Sequence, residues 1–158
     1  MFSAITSTTI GKILCTLFIS MVPVIELRGA LPIGVGMGLT PVTALIVSII
    51  GNTIPVPIVI LFIRKIMDFM KRFQFFAKFA NWLENKAMKH EGKIQKYEAL
   101  GLFILVAIPL PGTGAYTGSL VAALFDIRLK TAFPVIFAGV VTAGLIVFFI
   151  TYGIVAIV

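Results

Sequence analysis

The chain has 158 residues, 59% hydrophobic and 12% charged, with mean hydropathy +1.12. Soluble domains are about 45–50% apolar and roughly 25% charged, so this composition excludes a soluble globule and reads as an all-α integral membrane protein. The net charge is +7, but nine of the 13 basic residues lie between Arg64 and Lys96. They flank apolar runs and carry no recognition motif, which excludes a nucleic-acid footprint.

The length fits one transmembrane domain over residues 1–158, with about four to six segments of roughly 20 residues each. The single cysteine, Cys15, allows no intramolecular disulfide and no cysteine zinc cluster. The single histidine, His90, lies in a charged stretch, so no metal or other cofactor is expected. The N-terminal run lacks a basic leader and reads as a membrane helix rather than a secretory signal.

Residues 4–22 form an apolar helix in which Lys12 snorkels toward one face. It stops at Pro23-Val-Ile-Glu-Leu-Arg-Gly-Ala-Leu-Pro-Ile-Gly-Val-Gly-Met-Gly38, which holds a Glu, an Arg, two prolines and four glycines. A charge at the bilayer centre costs about 2.5–3.5 kcal/mol on insertion scales. Broken backbone at that depth must face protein or a water-filled cavity. The stretch reads as the turn of a re-entrant hairpin and half of a site holding Glu26, Arg28 and Pro32. A kinked helix with a structural Glu–Arg pair is the alternative. Gly29 to Leu39 is the second arm of the hairpin, too short to span alone.

Thr40-Pro41 restarts the chain, with Pro41 at a first helical position. Residues 42–63 form a full span that Pro55 and Pro57 should kink, and Asn52 should face protein. Repeat 1 is thus 1–63. Residues 64–98 alternate basic positions with Ile66, Phe69, Phe73, Phe76 and Leu83 at helical spacing, near Trp82. This reads as an amphipathic interfacial linker running into a charged connector over 88–98. Repeat 2, residues 99–158, has a helix ending at Ile108-Pro-Leu-Pro111. The break Gly112-Thr-Gly-Ala-Tyr-Thr-Gly118 follows, then an arm to Phe125, a charged turn with Asp126 and Arg128, and a last span over 131–157.

The halves match in pattern. Pro23 pairs with Pro109 and Leu39 with Phe125 at an offset of 86, then Ala44 with Ala132 and Gly51 with Gly139 at 88. Gly34–Gly38 and Gly114–Gly118 recur as small-residue pairs that allow close helix approach. The positive-inside rule makes the basic linker and the Arg128–Lys130 turn cytoplasmic. That places both termini outside and requires re-entrant arms. The fold expected is an inverted repeat of two re-entrant, Pro/Gly-broken hairpins, each with a transmembrane helix, joined by the interfacial helix. Such repeats place sites at the midplane, where broken helix starts face anionic groups.

The stretches Pro23–Ile33 and Ala107–Ser119 resemble the small multidrug export protein family, and the order of segments fits over nearly the whole chain. The resemblance implies export of small compounds. More distantly, the chain looks like the DedA/VTT superfamily, which implies undecaprenyl-phosphate or phospholipid translocation. Glu26 matches that superfamily's acidic residue and Arg128 its arginine after the second hairpin. The arginine within the second hairpin is replaced by Thr113, Gly114 and Ala115.

On this reading the protein is a plasma-membrane secondary transporter and not an enzyme; Ser119 has no partner base. Glu26 carries a proton, and Arg28 binds an anionic group or sets the Glu26 charge. Gly112, Thr113, Gly114, Tyr116 and Thr117 complete the site. Asn52, Asp126 and Arg128 are gate or secondary positions, with Asp126 and Arg128 forming a cytoplasmic gate or turn. The partners expected are the bilayer and a small solute, proton or lipid phosphate; glycine-rich faces are compatible with a homodimer. Two rival readings are a lipid-phosphate flippase and a structural membrane protein without transport.

Overall fold

A computed structural model describes residues 8–71, 95–110 and 112–153; among them every regular element is a helix. The helices are α1 (Thr9–Ser20), α2 (Glu26–Gly36), α3 (Pro41–Thr53), α4 (Pro55–Lys71), α5 (Gln95–Ala107), α6 (Ala115–Leu124) and α7 (Leu129–Phe148). A π-helical turn, Phe149–Gly153, extends α7. Most of the expected interfacial linker, with Trp82 and His90, lies outside the described residues, as does Pro111.

Two stretches are long and apolar enough to cross a membrane: Pro41–Phe69, 29 residues, and Leu129–Gly153, 25 residues. The other apolar helices are short. At 1.5 Å per residue, α2 and α6 reach only about 15–17 Å, roughly half the hydrocarbon thickness.

Several boundaries differ from the sequence expectation. The second arm of the first hairpin begins at Glu26 rather than Gly29, so Glu26 and Arg28 sit in the first turn of a helix. The span expected over 42–63 is two helical pieces, α3 and α4, meeting at Ile54. Pro55 and Pro57 have no N–H to offer the carbonyls of Gly51 and Thr53. Beyond the kink, α4 runs through Arg64 to Lys71 without a new start. Helix α5, described from Gln95, already runs inside the expected connector and stops at Ala107.

Helices α1, α2 and α3 pack on one another, and so do α5, α6 and α7. The two units join through α3 on α7 and through α4, which packs on α6. One close helix contact recurs in both. Gly51 of α3 lies against the Leu17 carbonyl and Ser20 of α1. Gly139 of α7 lies against the Phe103 carbonyl and Val106 of α5. A Cβ at either glycine would collide with the facing helix.

The caps correspond as well. After α2, Gly38 takes φ +91° and the Leu39 amide reaches the Gly34 carbonyl at 3.1 Å. After α6, Asp126 takes φ +51° and the Ile127 amide reaches the Ala122 carbonyl at 2.9 Å. Both are left-handed helix stops of the Schellman type. Leu39 therefore matches Ile127, not Phe125. The two extra residues of the second half lie in its break, Ile108–Gly114, against Met21–Ile25 in the first. By the same register Gly114 matches Glu26, so the pairing of Gly34–Gly38 with Gly114–Gly118 does not hold in the fold.

The main core gathers Leu27, Val56, Ile60, Leu102, Val106, Ile136 and Val140 where the units meet. A smaller cluster of Leu31, Leu39, Ala44 and Leu45 lies within the first unit. Thr40 caps α3 by accepting from the Thr43 amide at 3.3 Å, with Pro41 at the first helical position.

Candidate functional site

The two breaks face each other and bond across. At the first, Pro23 interrupts the helix, and the Met21 and Val22 amides tighten onto the Phe18 and Ile19 carbonyls at 3.1 Å. Glu26 starts α2 with φ +49°, a left-handed conformation uncommon for a residue with a Cβ. Such residues cost of order 1–3 kcal/mol and persist where neighbours fix them. The contacts that fix Glu26 come from the second break.

Glu26 is 6% exposed, and its carboxylate lies at the start of α6, where Oε1 accepts from the Tyr116 amide at 3.4 Å. Helix starts carry exposed amides and the positive end of the helix dipole, which favour an anion. The room exists because Gly114 has no side chain: a Cβ there would overlap the Glu26 carboxylate. Gly114 also takes φ +149°. Helix start, glycine and acid thus form one fitted contact.

Arg28, one position past Leu27, turns to the carbonyls of the second break. Nη1 donates to the carbonyls of Leu110 and Thr113, the latter at 2.5 Å. Nη2 donates to the Ile108 carbonyl and to Thr113 Oγ1, both at 3.2 Å. These carbonyls lack helical partners because Pro109 and the glycines interrupt the chain. Thr113 Oγ1 closes the same turn, lying 2.9 Å from the Ile108 and Leu110 carbonyls and accepting from the Leu110 amide at 3.2 Å. In the other direction, the Tyr116 hydroxyl donates to the Met21 carbonyl of the first break. Each break therefore supplies side chains that satisfy the other's backbone.

Behind this clamp is a small cleft lined by Glu26, Leu27, Arg28, Asn52, Val106, Gly114, Ala115, Val140 and Ala143. Its free interior holds about one water-sized group. Asn52 is 3% exposed, and among the described residues its Oδ1 has no hydrogen-bond partner. Ser48, one turn earlier on α3, is fully buried and likewise unpartnered.

Of the residues singled out from the sequence, Glu26, Arg28, Thr113, Gly114 and Tyr116 meet directly, and Asn52 joins them at the cleft. Thr117 stays within its own hairpin, donating to the Gly112 carbonyl at 2.8 Å; Gly112 is exposed at φ +82°. Pro32 is an exposed residue inside α2 and does not line the cleft. Arg28, expected to bind an anionic group or to set the Glu26 charge, directs its donors in the structure to three backbone carbonyls and the Thr113 hydroxyl. Ser119 is buried and donates to the Ala115 carbonyl at 2.6 Å.

Asp126 and Arg128 lie apart, at the turn between α6 and α7. Asp126 pairs at 3.5 Å with Arg64 of α4, which also donates to the Ile127 carbonyl. Sequence reasoning missed Arg64. Its signal was position: it is the first charge after the apolar run Ile58–Ile63. Arg128 is exposed at the start of α7.

Comparison with curated proteins returns no match, and comparison with solved structures returns none. A family model described as "Putative small multi-drug export protein" matches residues 26–146, from Glu26 through both breaks and into α7. With an apolar helical architecture and a match over most of its length, the chain belongs to the small multi-drug export protein family of membrane proteins.

Proposed function

We propose that the protein is a proton-coupled secondary transporter that exports a small solute. The observation that carries this reading is the reciprocal clamp: a buried carboxylate of one hairpin held at the helix start of the other, with Arg28 on that hairpin's carbonyls. On this reading α1–α3 and α5–α7 are inverted repeats, α2 and α6 are re-entrant arms, and the cleft is a midplane site. The shortness of α2 and α6 supports re-entrance. The basic stretch Arg64–Lys96 is the cytoplasmic side of a plasma-membrane protein.

The clamp is a closed state. Its cleft holds only about one water-sized group, so a solute passes only when the hairpins part. A charged Glu26 holds them together through the Tyr116 amide and the positive end of α6. A proton on Glu26 removes that charge and with it the attraction, which frees the second hairpin to move. Coupling follows because opening requires the proton. The lipid-phosphate translocation implied by the distant DedA/VTT likeness calls for a guanidinium free to take phosphate, whereas Arg28 is on three carbonyls.

The test is purified protein in liposomes with an imposed pH gradient, an internal pH dye and ethidium as the probe solute. Wild type is expected to move protons when ethidium is added, and Glu26→Gln to move none. Equal proton flux in both would refute Glu26 as the carrier. Movement of labelled phospholipid without ethidium-linked proton flux would favour the lipid reading.

A further inference from the structure

We infer that Asn52 is the hydrogen-bond acceptor for the protonated form of Glu26, and so the residue that holds the carrier in its neutral state. The inference rests on the proton-carrier reading and assigns a residue for the half of the cycle in which Glu26 is uncharged.

It begins with the hydrogen-bonding inventory of the cleft. A carboxylate only accepts, and the Tyr116 amide serves it. A carboxylic acid carries one O–H donor, which in a buried site needs an acceptor. The Ile108, Leu110 and Thr113 carbonyls of the second break already accept from Arg28 or Thr113. Asn52 lines the same cleft, and among the described residues its buried Oδ1 has no donor. An unpartnered buried acceptor costs about 1–3 kcal/mol. The protonated acid is short of an acceptor and Asn52 is short of a donor. The cleft they share holds about one water-sized group, which allows the bond directly or through one water.

The second unit supplies an internal control. By the register of the caps and of Gly51 and Gly139, the position equivalent to Asn52 is Val140. Both are buried and both line the cleft. The scaffold therefore closes with an apolar residue at this place, and folding alone does not require an amide there. The neighbouring pair repeats the point: Ser48 matches Ile136, each fully buried.

The titratable groups facing Glu26 are Arg28 on its own helix and Tyr116 on α6. Helices α3, α5 and α7 present Asn52, Val106, Val140 and Ala143 to the cleft. Asn52 is thus the neutral acceptor within the cleft, distinct from groups that act through charge. It is a positioning residue: it selects the protonation state of Glu26 and leaves proton transfer to Glu26 itself.

Infrared difference spectra of the full chain in lipid vesicles, recorded across a pH titration, test this directly. Glu26→Gln identifies the Glu26 carboxylic C=O band by its loss. In Asn52→Val and Asn52→Ala the band is expected to move to higher frequency, as its hydrogen bond is removed, and ethidium-linked proton flux to fall about tenfold. Thr53→Val, which removes a buried hydroxyl bonded to the Ile49 carbonyl, should leave the band in place. An unshifted band in either Asn52 variant that folds overturns the inference while the proton carrier stands. If Glu26→Gln removes no titrating band, the proton-carrier reading itself fails, and the inference with it.

Discussion

The two three-helix units share a frame and differ in chemistry. Gly51 and Gly139 make the same close approach, and Gly38 and Asp126 make the same left-handed stop. At matched buried positions the first unit carries Thr16, Ser20, Ser48 and Asn52, where the second carries Leu102, Val106, Ile136 and Val140. Glu26 faces its own counterpart, Gly114, and fills the space that the missing side chain leaves. One unit thus supplies charge and buried polar groups, while the other supplies a helix start, carbonyls outside any helix and room. Matched positions that accept either kind of residue show that packing did not demand the polar ones.

The most severe way to break this division is to fill the space. Gly114→Ala places a Cβ on the Glu26 carboxylate and puts a side chain at φ +149°. We expect transport to be abolished and the melting temperature in detergent to fall, with the backbone conformation alone costing about 1–3 kcal/mol. Gly112→Ala separates the two causes, since φ is +82° but nothing lies within 4 Å; it should lower stability and spare transport.

Next in size is the loss of the carbonyl clamp. Arg28→Ala removes charged hydrogen bonds to carbonyls, each worth about 1.5–3 kcal/mol. Arg28→Lys should recover only part of this, because an ammonium lacks the planar fork. Thermal unfolding followed by circular dichroism would rank the three proteins. Tyr116→Phe removes a single bond, to the Met21 carbonyl, and should cost about 0.5–1.5 kcal/mol in the same assay.

The smallest effect belongs to the turn after α6. Asp126 is 79% exposed in its pair with Arg64, and such pairs contribute about 0–1 kcal/mol. Asp126→Asn should leave thermal stability almost unchanged. A large loss there would mean that the α4–α6 contact, not the breaks, holds the units together.

Much of this was legible in the sequence. Prolines and glycines beside Glu26 and Arg28 in an apolar run located the first break, and the run Pro109–Gly118 located the second. The register between halves was not legible, because a left-handed cap accepts Gly at one end and Asp at the other, so the letters do not align where the backbone does. The role of Arg28 was hidden for a related reason. Its partners are backbone carbonyls, which have no letter, and only the fold shows which of them the breaks leave unpaired. Asn52 stood out as a polar group at membrane depth, but its place beside Glu26 follows from the contact of α3 with the hairpins.

The central claim is that the charge on Glu26 holds the two breaks together. Spin labels at Val24→Cys and Leu110→Cys, both exposed, in a Cys15→Ser background would report the separation of the breaks by double electron–electron resonance. The account predicts one short distance with Glu26 charged, and a longer population at low pH that Glu26→Gln reproduces at every pH. A distribution unchanged by pH and by Glu26→Gln would contradict it.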